Sequence, residues 1–194
     1  AVVTVHDLIL VVMRRLYERE KPLRYRLGRV LDRQVLRRAR LLITDSAASR
    51  DDIVRLFRLP PERVRVAPLG VTERFRPQSA EAVAAVRARY RLERPFLLYV
   101  GGIDPRKDVP RLLEAWGGLR ARRAGVPDLA LGGAIERDPH FPALLRQAQR
   151  LGAADALRVL GFVADDDLPA LLSAAEVFVF PSLYEGFGLP PLEA

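Results

Sequence analysis

Short apolar runs alternate with helix-patterned stretches along the whole chain, and this alternation most restricts the folds open to it. Residues 2–5, 41–44, 96–100, 129–131, 157–160 and 177–180 are each apolar throughout or nearly so, and Val64, Val66 and Pro68 mark one further strand. A strand with one wet face alternates apolar and polar residues. A continuous run needs cover on both faces, as in a parallel sheet flanked by helices. The stretches between the runs supply those helices. Asp45 and Ser46 offer cap chemistry for a helix reaching about residue 59, stopped by Pro60-Pro61. Asp108 is placed to cap a helix with Val109, Leu112, Leu113, Trp116 and Leu119 on one face. Further helices are predicted over 142–151 and 168–175.

The alternation breaks once. Residues 72–79 are polar, and 80–91 read as an exposed helix. The expected organisation is a first domain over 1–75, a linker and helix over 76–95, and a second domain over 96–194. Each reads as a piece of an α/β, Rossmann-like domain, with ligand expected at the carboxyl ends of the strands.

Composition narrows the chemistry. The 194 residues are 49% hydrophobic, enough for a packed core. There is no cysteine, which removes disulfides and thiolate chemistry and suits a reducing, cytoplasmic compartment. Two histidines give no zinc-ligand pattern, and no metal site is expected. No apolar run approaches the ~20 residues that cross a bilayer. The opening Ala1-Val2-Val3-Thr4-Val5 lacks a basic leader and a small-residue cleavage site, so it reads as a buried strand. The net charge is +8, and arginine supplies nearly all the positive charge, with lysine only at Lys21 and Lys107. Residues 14–40 concentrate eleven of the basic side chains against three acids, with apolar residues at roughly helical spacing. Such a stretch is either a solvated helical face or a surface for anionic membrane at the inner face; nucleic acid is the weaker alternative, for want of any recognition motif.

The most specific stretch is Phe180-Pro181-Ser182-Leu183-Tyr184-Glu185-Gly186-Phe187-Gly188-Leu189-Pro190-Pro191-Leu192-Glu193. A strand leads into a glycine turn and then into a helix start where two prolines cost no hydrogen bond. Backbone N–H groups at such a junction attract anions. Carboxylates beside an anion site are aimed at hydroxyls instead, which suits Glu185 and Glu193 on either side of a diphosphate. If mostly helical, their eight-residue separation spans roughly 12 Å.

This stretch resembles the E-x7-E signature of retaining glycosyltransferases of the GT-B fold, and in particular family 4, the group 1 glycosyltransferases. The resemblance implies two Rossmann-like domains, both incomplete in this chain. It implies transfer of a hexosyl group, of mannosyl or glucosyl type, from a nucleotide-diphospho-sugar to a glycan or lipid-linked acceptor. It gives Glu185 the sugar-side role and Glu193 the ribose, with Gly186, Phe187, Gly188 and Leu189 lining the donor between them. No cofactor or obligatory metal is implied. A complete enzyme of the family has about twice this length, so the chain is expected to be an internal fragment, inactive by itself, with an unpaired apolar edge on its first sheet.

Three other motifs extend the resemblance. Gly101-Gly102-Ile103-Asp104-Pro105-Arg106-Lys107-Asp108 again joins a strand end to a helix start, now with two cations. A phosphate there meets backbone N–H groups, an arginine fork and a lysine point charge. In the family this loop neutralises the departing diphosphate, which gives that role to Arg106 and Lys107. Many members carry arginine where this chain has Gly102, and Arg106 is taken as the substitute. Thr4-Val5-His6-Asp7 resembles the family's T-x-H-D, whose histidine reaches across the cleft toward the donor sugar. Asp7 either caps the next helix or orients that imidazole. Gly161-Phe162-Val163 stands where the family's backbone meets the nucleobase, which makes Val163 a donor contact; Phe162 stays open between that surface and core packing. His140, in a loop, is read as structural. Two other functions stay open to the residues alone: a non-catalytic nucleotide-sugar-binding fragment, and a basic nucleic-acid-binding protein.

Overall fold

The computed structural model describes residues 1–17 and 34–194. Most of the arginine-rich stretch, residues 18–33, lies outside them. Among the described residues no helix is long and apolar enough to cross a membrane.

The chain divides into two compact units: Ala1–Gly70 with Tyr184–Leu189, and Val71–Leu183 with Pro190–Ala194. The first holds a parallel sheet in the order β1 (Val2–Val5), β2 (Leu41–Thr44), β3 (Val64–Val66). Its core gathers Leu8, Leu36, Leu42, Ile53, Phe57 and Val64. The helix Ala47–Phe57 starts at Ser46, whose extended backbone and side-chain acceptor take the N–H of Ser49. It stops at Arg58, which turns left-handed at φ 53° so that its own N–H reaches Val54 O. Cap chemistry was expected of both Asp45 and Ser46. Ser46 alone caps, because the Asp45 carboxylate is bonded elsewhere.

The second unit holds β4 (Phe96–Val100), β5 (Asp128–Gly132), β6 (Leu157–Gly161) and β7 (Val177–Phe178), all parallel, in the order β6-β5-β4-β7. Every residue of β5 is buried. Side chains of a strand point alternately to opposite faces, and the two cores follow that rule. Tyr99, Leu129 and Leu131 join Leu113, Trp116 and Leu144 of the helices Val109–Arg120 and Phe141–Arg150 on one face. Phe96, Leu98 and Ala130 join Val86 and Leu171 of the helices Ala80–Arg89 and Leu168–Ala174 on the other. The helix read as exposed over 80–91 therefore covers part of a sheet. Its C-terminal end is tied by Arg89 and Tyr90, whose side chains bond the two oxygens of Asp167 at 2.5 and 2.9 Å.

Strand order carries one functional consequence. From β4 the chain proceeds to β5 and β6 on one side, then returns to β7 on the other. This reversal makes the gap beyond the carboxyl ends of β4 and β7 a topological switch point, where open α/β sheets bind ligands.

Candidate donor-binding site

The loop after β4 is built from residues close in sequence. Tyr99, fully buried, donates its hydroxyl to Gly102 O at 2.5 Å. A Cβ at Gly101 would stand 2.9 Å from that same hydroxyl, so glycine there is a packing requirement. Asp104 accepts from Arg106 N at 3.0 Å, and Lys107 N donates to Asp104 O at 2.8 Å, closing a 3-10 turn over Pro105–Lys107. The Arg106 guanidinium lies 3.9 Å from Asp104 Oδ1 with only 14% of its side chain exposed. Asp108 departs from expectation. Its backbone is left-handed at φ 48°, and its side chain makes no cap hydrogen bond. The carboxylate instead pairs with Arg111 Nε at 2.7 Å.

The segment after β7 meets this loop. Leu183 N donates to Arg106 O at 2.9 Å, and the Lys107 ammonium stands 5.2 Å from the centre of the Phe180 ring. Regular β7 pairing covers only Val177–Phe178, although Val179 N still reaches Leu98 O at 2.7 Å. Arg106, Lys107 and residues 180–183 thus converge at the switch point. The final helix, Leu189–Glu193, carries Pro190 and Pro191 in its first turn and Glu193 at its end. Helical structure starts only at Leu189, so the span from Glu185 to Glu193 is part turn and part helix, unlike the mostly helical span first considered. At the end of β6, Val163 is 8% exposed and belongs to the second core, while Phe162 is 73% exposed, which removes core packing from the two readings open to it.

The segment Tyr184–Leu189 belongs to the first unit. A Cβ on Gly186 would overlap the His6 carbonyl oxygen and come within 2.9 Å of Asp7 Cβ, so the two backbones touch. His6 Nδ1 lies 2.8 Å from Asp45 Oδ2. A carboxylate only accepts, so Nδ1 carries the proton. The Asp45 side chain is 7% exposed and that of His6 71%. Asp7 accepts from Ile9 N at 2.9 Å and so serves the helix start, while Asp45 holds the imidazole. Tyr184 donates to Asp52 Oδ2 at 2.8 Å, and burial followed by the Asp52 carboxylate pushes its phenol well up from the ordinary tyrosine range. His140 is exposed and bonds Asp138 through both its backbone N–H and its ring.

Sequence reasoning missed Tyr99, Asp45, Ser49 and Asp52. Tyr99 reads as one more apolar strand residue, and the others read as helix-start polarity. Among the described residues no three His, Asp or Glu side chains gather as a metal site.

Residues 85–194 match the family described as Glycosyl transferases group 1, and residues 1–70 match the Glycosyl transferase 4-like domain. The chain is 38% identical over 158 residues to O-antigen chain mannosyltransferase B of Escherichia coli, covering 80% of this chain and 41% of that protein. It is 36% identical over 166 residues to the MMP alpha-(1->4)-mannosyltransferase of Mycolicibacterium hassiacum, covering 84% and 36%. It thus spans well under half the length of these relatives. Among solved structures, Anabaena HepE in complex with UDP and glucose superposes with a TM-score of 0.79 at 23% identity, covering all of this chain and 49% of that one. WaaG, a glycosyltransferase involved in lipopolysaccharide biosynthesis, gives 0.76 at 22%, covering all of this chain and 53% of that one.

Proposed function

We propose, from the premise that this chain belongs to the group 1 glycosyltransferases, that it takes part in moving a hexosyl group from a nucleotide-diphospho-sugar to an acceptor hydroxyl with retention of anomeric configuration. Its α/β fold is that of the GT-B glycosyltransferases. The observation that carries the reading is the convergence of Arg106, Lys107 and the Phe180–Leu183 segment at the switch point between β4 and β7. A diphosphate there meets two fixed cations. As the bond from sugar to phosphate breaks, negative charge grows on the leaving phosphate, and cations already in place stabilise it without reorganising. In this reading no metal is required. Gly101 and Gly102 admit the phosphates, Val163 backs the nucleobase, and Glu193 takes the ribose.

Glu185 is assigned to the sugar, with Gly186, Phe187, Gly188 and Leu189 beside it. His6 presents Nε2 to the sugar hydroxyls. Mannosyl is the favoured donor group, because the two curated relatives named above are mannosyltransferases. UDP in a structural neighbour supports a nucleoside diphosphate carrier. The acceptor is a glycan or lipid-linked sugar, met at the cytoplasmic face of a membrane with residues 14–40 against anionic lipid.

The test is transfer from labelled UDP-, GDP- and ADP-hexoses by a protein of the relatives' full length that carries this chain, with the product's anomeric configuration read by NMR. Retention is expected, along with loss of turnover on Glu185→Ala. An inverted product, or turnover unchanged by Glu185→Ala, would overturn the reading.

A further inference from the structure

The helix start after β2 carries more polar side chains than a cap requires. Ser46 would suffice to cap it, yet Ser46 Oγ also donates to Gly186 O at 2.5 Å, while accepting Ser49 N at 3.0 Å. One turn on, Ser49 Oγ donates to the same Gly186 O at 3.0 Å from a fully buried position. Both lone pairs of that carbonyl are therefore taken by hydroxyls of one helix. One further turn on, Asp52 receives the Tyr184 hydroxyl at 2.8 Å. Immediately before the helix, Asp45 holds His6 Nδ1 at 2.8 Å. Residues 46, 49 and 52 recur at the spacing that lines one face of a helix.

We propose that Asp45, Ser46, Ser49 and Asp52 form a positioning template, which sets the Tyr184–Leu189 segment and His6 in one frame. None of the four is assigned a contact with substrate. They act through the groups they hold. Ser46 and Ser49 fix the carbonyl of the residue after Glu185. Asp52 fixes the residue before it. Asp45 sets the imidazole tautomer and its direction. The backbone contact of Gly186 with the His6 carbonyl leaves the segment little room to shift along the template. Polar groups serving only the core would be satisfied inside their own unit's sheet and helices. Here three of the four bond a segment more than 130 positions away, with separations of 140, 137 and 132.

The kinetic half of the test rests on the proposed glycosyl transfer and is run on the full-length protein that carries this chain; the exchange half does not rest on it. Two variants separate capping from holding. Threonine and aspartate both cap helices, but only threonine has a hydroxyl to donate to a carbonyl. Ser46→Thr is expected to keep kcat. Ser46→Asp is expected to lower kcat about 10²-fold, the scale for a misplacement near 1 Å, with donor KM and Tm close to those of Ser46→Thr. Hydrogen exchange of the Tyr184–Leu189 amides should speed up tenfold or more in Ser46→Asp and stay unchanged in Ser46→Thr. Unaltered exchange in Ser46→Asp would overturn the template whether or not transfer is observed. Accelerated exchange with kcat unchanged would overturn its role in catalysis.

Discussion

Two loops of this chain share a plan of strand end, glycines, charged residues and helix start, yet they are held by opposite means. The Gly101–Lys107 loop is stitched by its neighbours: Tyr99 to Gly102, Asp104 to Arg106, and Lys107 to Asp104. The Tyr184–Leu189 segment is held by side chains that enter the sequence some 130 to 140 residues earlier. The first loop keeps its shape wherever its own sheet is formed. The second has its shape only where the helix Ala47–Phe57 is in place. The first suits a fixed anion cradle. The second places a carboxylate and an imidazole from distant parts of the chain on a common support.

The contrast is sharpest where chemistry and stability part. Lys107→Ala removes a charge from a loop that its backbone bonds already hold. Transfer should fall about 10³-fold, the upper scale for losing one electrostatic contact to developing charge, while Tm barely moves. A large drop in Tm would show the ammonium to be structural, through its place over the Phe180 ring. Gly186→Ala should do both kinds of damage. The added methyl meets the His6 carbonyl, and relieving the overlap is expected to cost about 1–3 kcal/mol in denaturant melts, with transfer impaired as well. An alanine variant as stable and active as the parent would mean that the close approach does not matter.

The smallest effect belongs to Tyr184→Phe, which leaves Asp52 with its Arg55 partner and should cost about 1 kcal/mol. It should also erase a pH dependence. The Tyr184 phenol is pushed up by burial and then by Asp52. A raised group contributes stability that is complete below its unfolded value, about 10, and fades as pH rises past it. Melts between pH 9 and about 11 should show that fall in the parent and a flatter profile in Tyr184→Phe. Equal slopes would place the phenol outside the folded frame.

How much of this was legible in the sequence follows the same divide. All seven strands could be placed from their apolar residues, but only β5 is buried throughout, as a parallel strand covered on both faces is; β1, read as a buried strand, alternates exposed and half-buried residues, and Val177 of β7 is exposed. The Gly101–Lys107 loop was legible because its determinants are adjacent. Asp45 was misread as a cap, since a carboxylate before a helix has the local signature of one, and nothing local reveals an imidazole 39 positions earlier. Ser49 and Asp52 looked like ordinary helix polarity for the same reason. Phe162 was left open because nothing local says which way an aromatic residue beside a strand end points; here the chain turns it out. The strand before the motif was read too long by two residues, because pairing with β4 ends at Phe178 while the apolar character runs on.

The central claim is that a nucleoside diphosphate binds at the switch point between β4 and β7. It is tested most directly by titrating the 15N-labelled protein with UDP, GDP and ADP while following backbone amide shifts. The account predicts saturable shifts centred on Gly101, Gly102, Arg106, Lys107 and residues 180–183, strongest for one nucleotide and lost in Lys107→Ala. Shifts confined to the arginine-rich stretch 14–40, or no larger than those from inorganic salt at equal ionic strength, would contradict it.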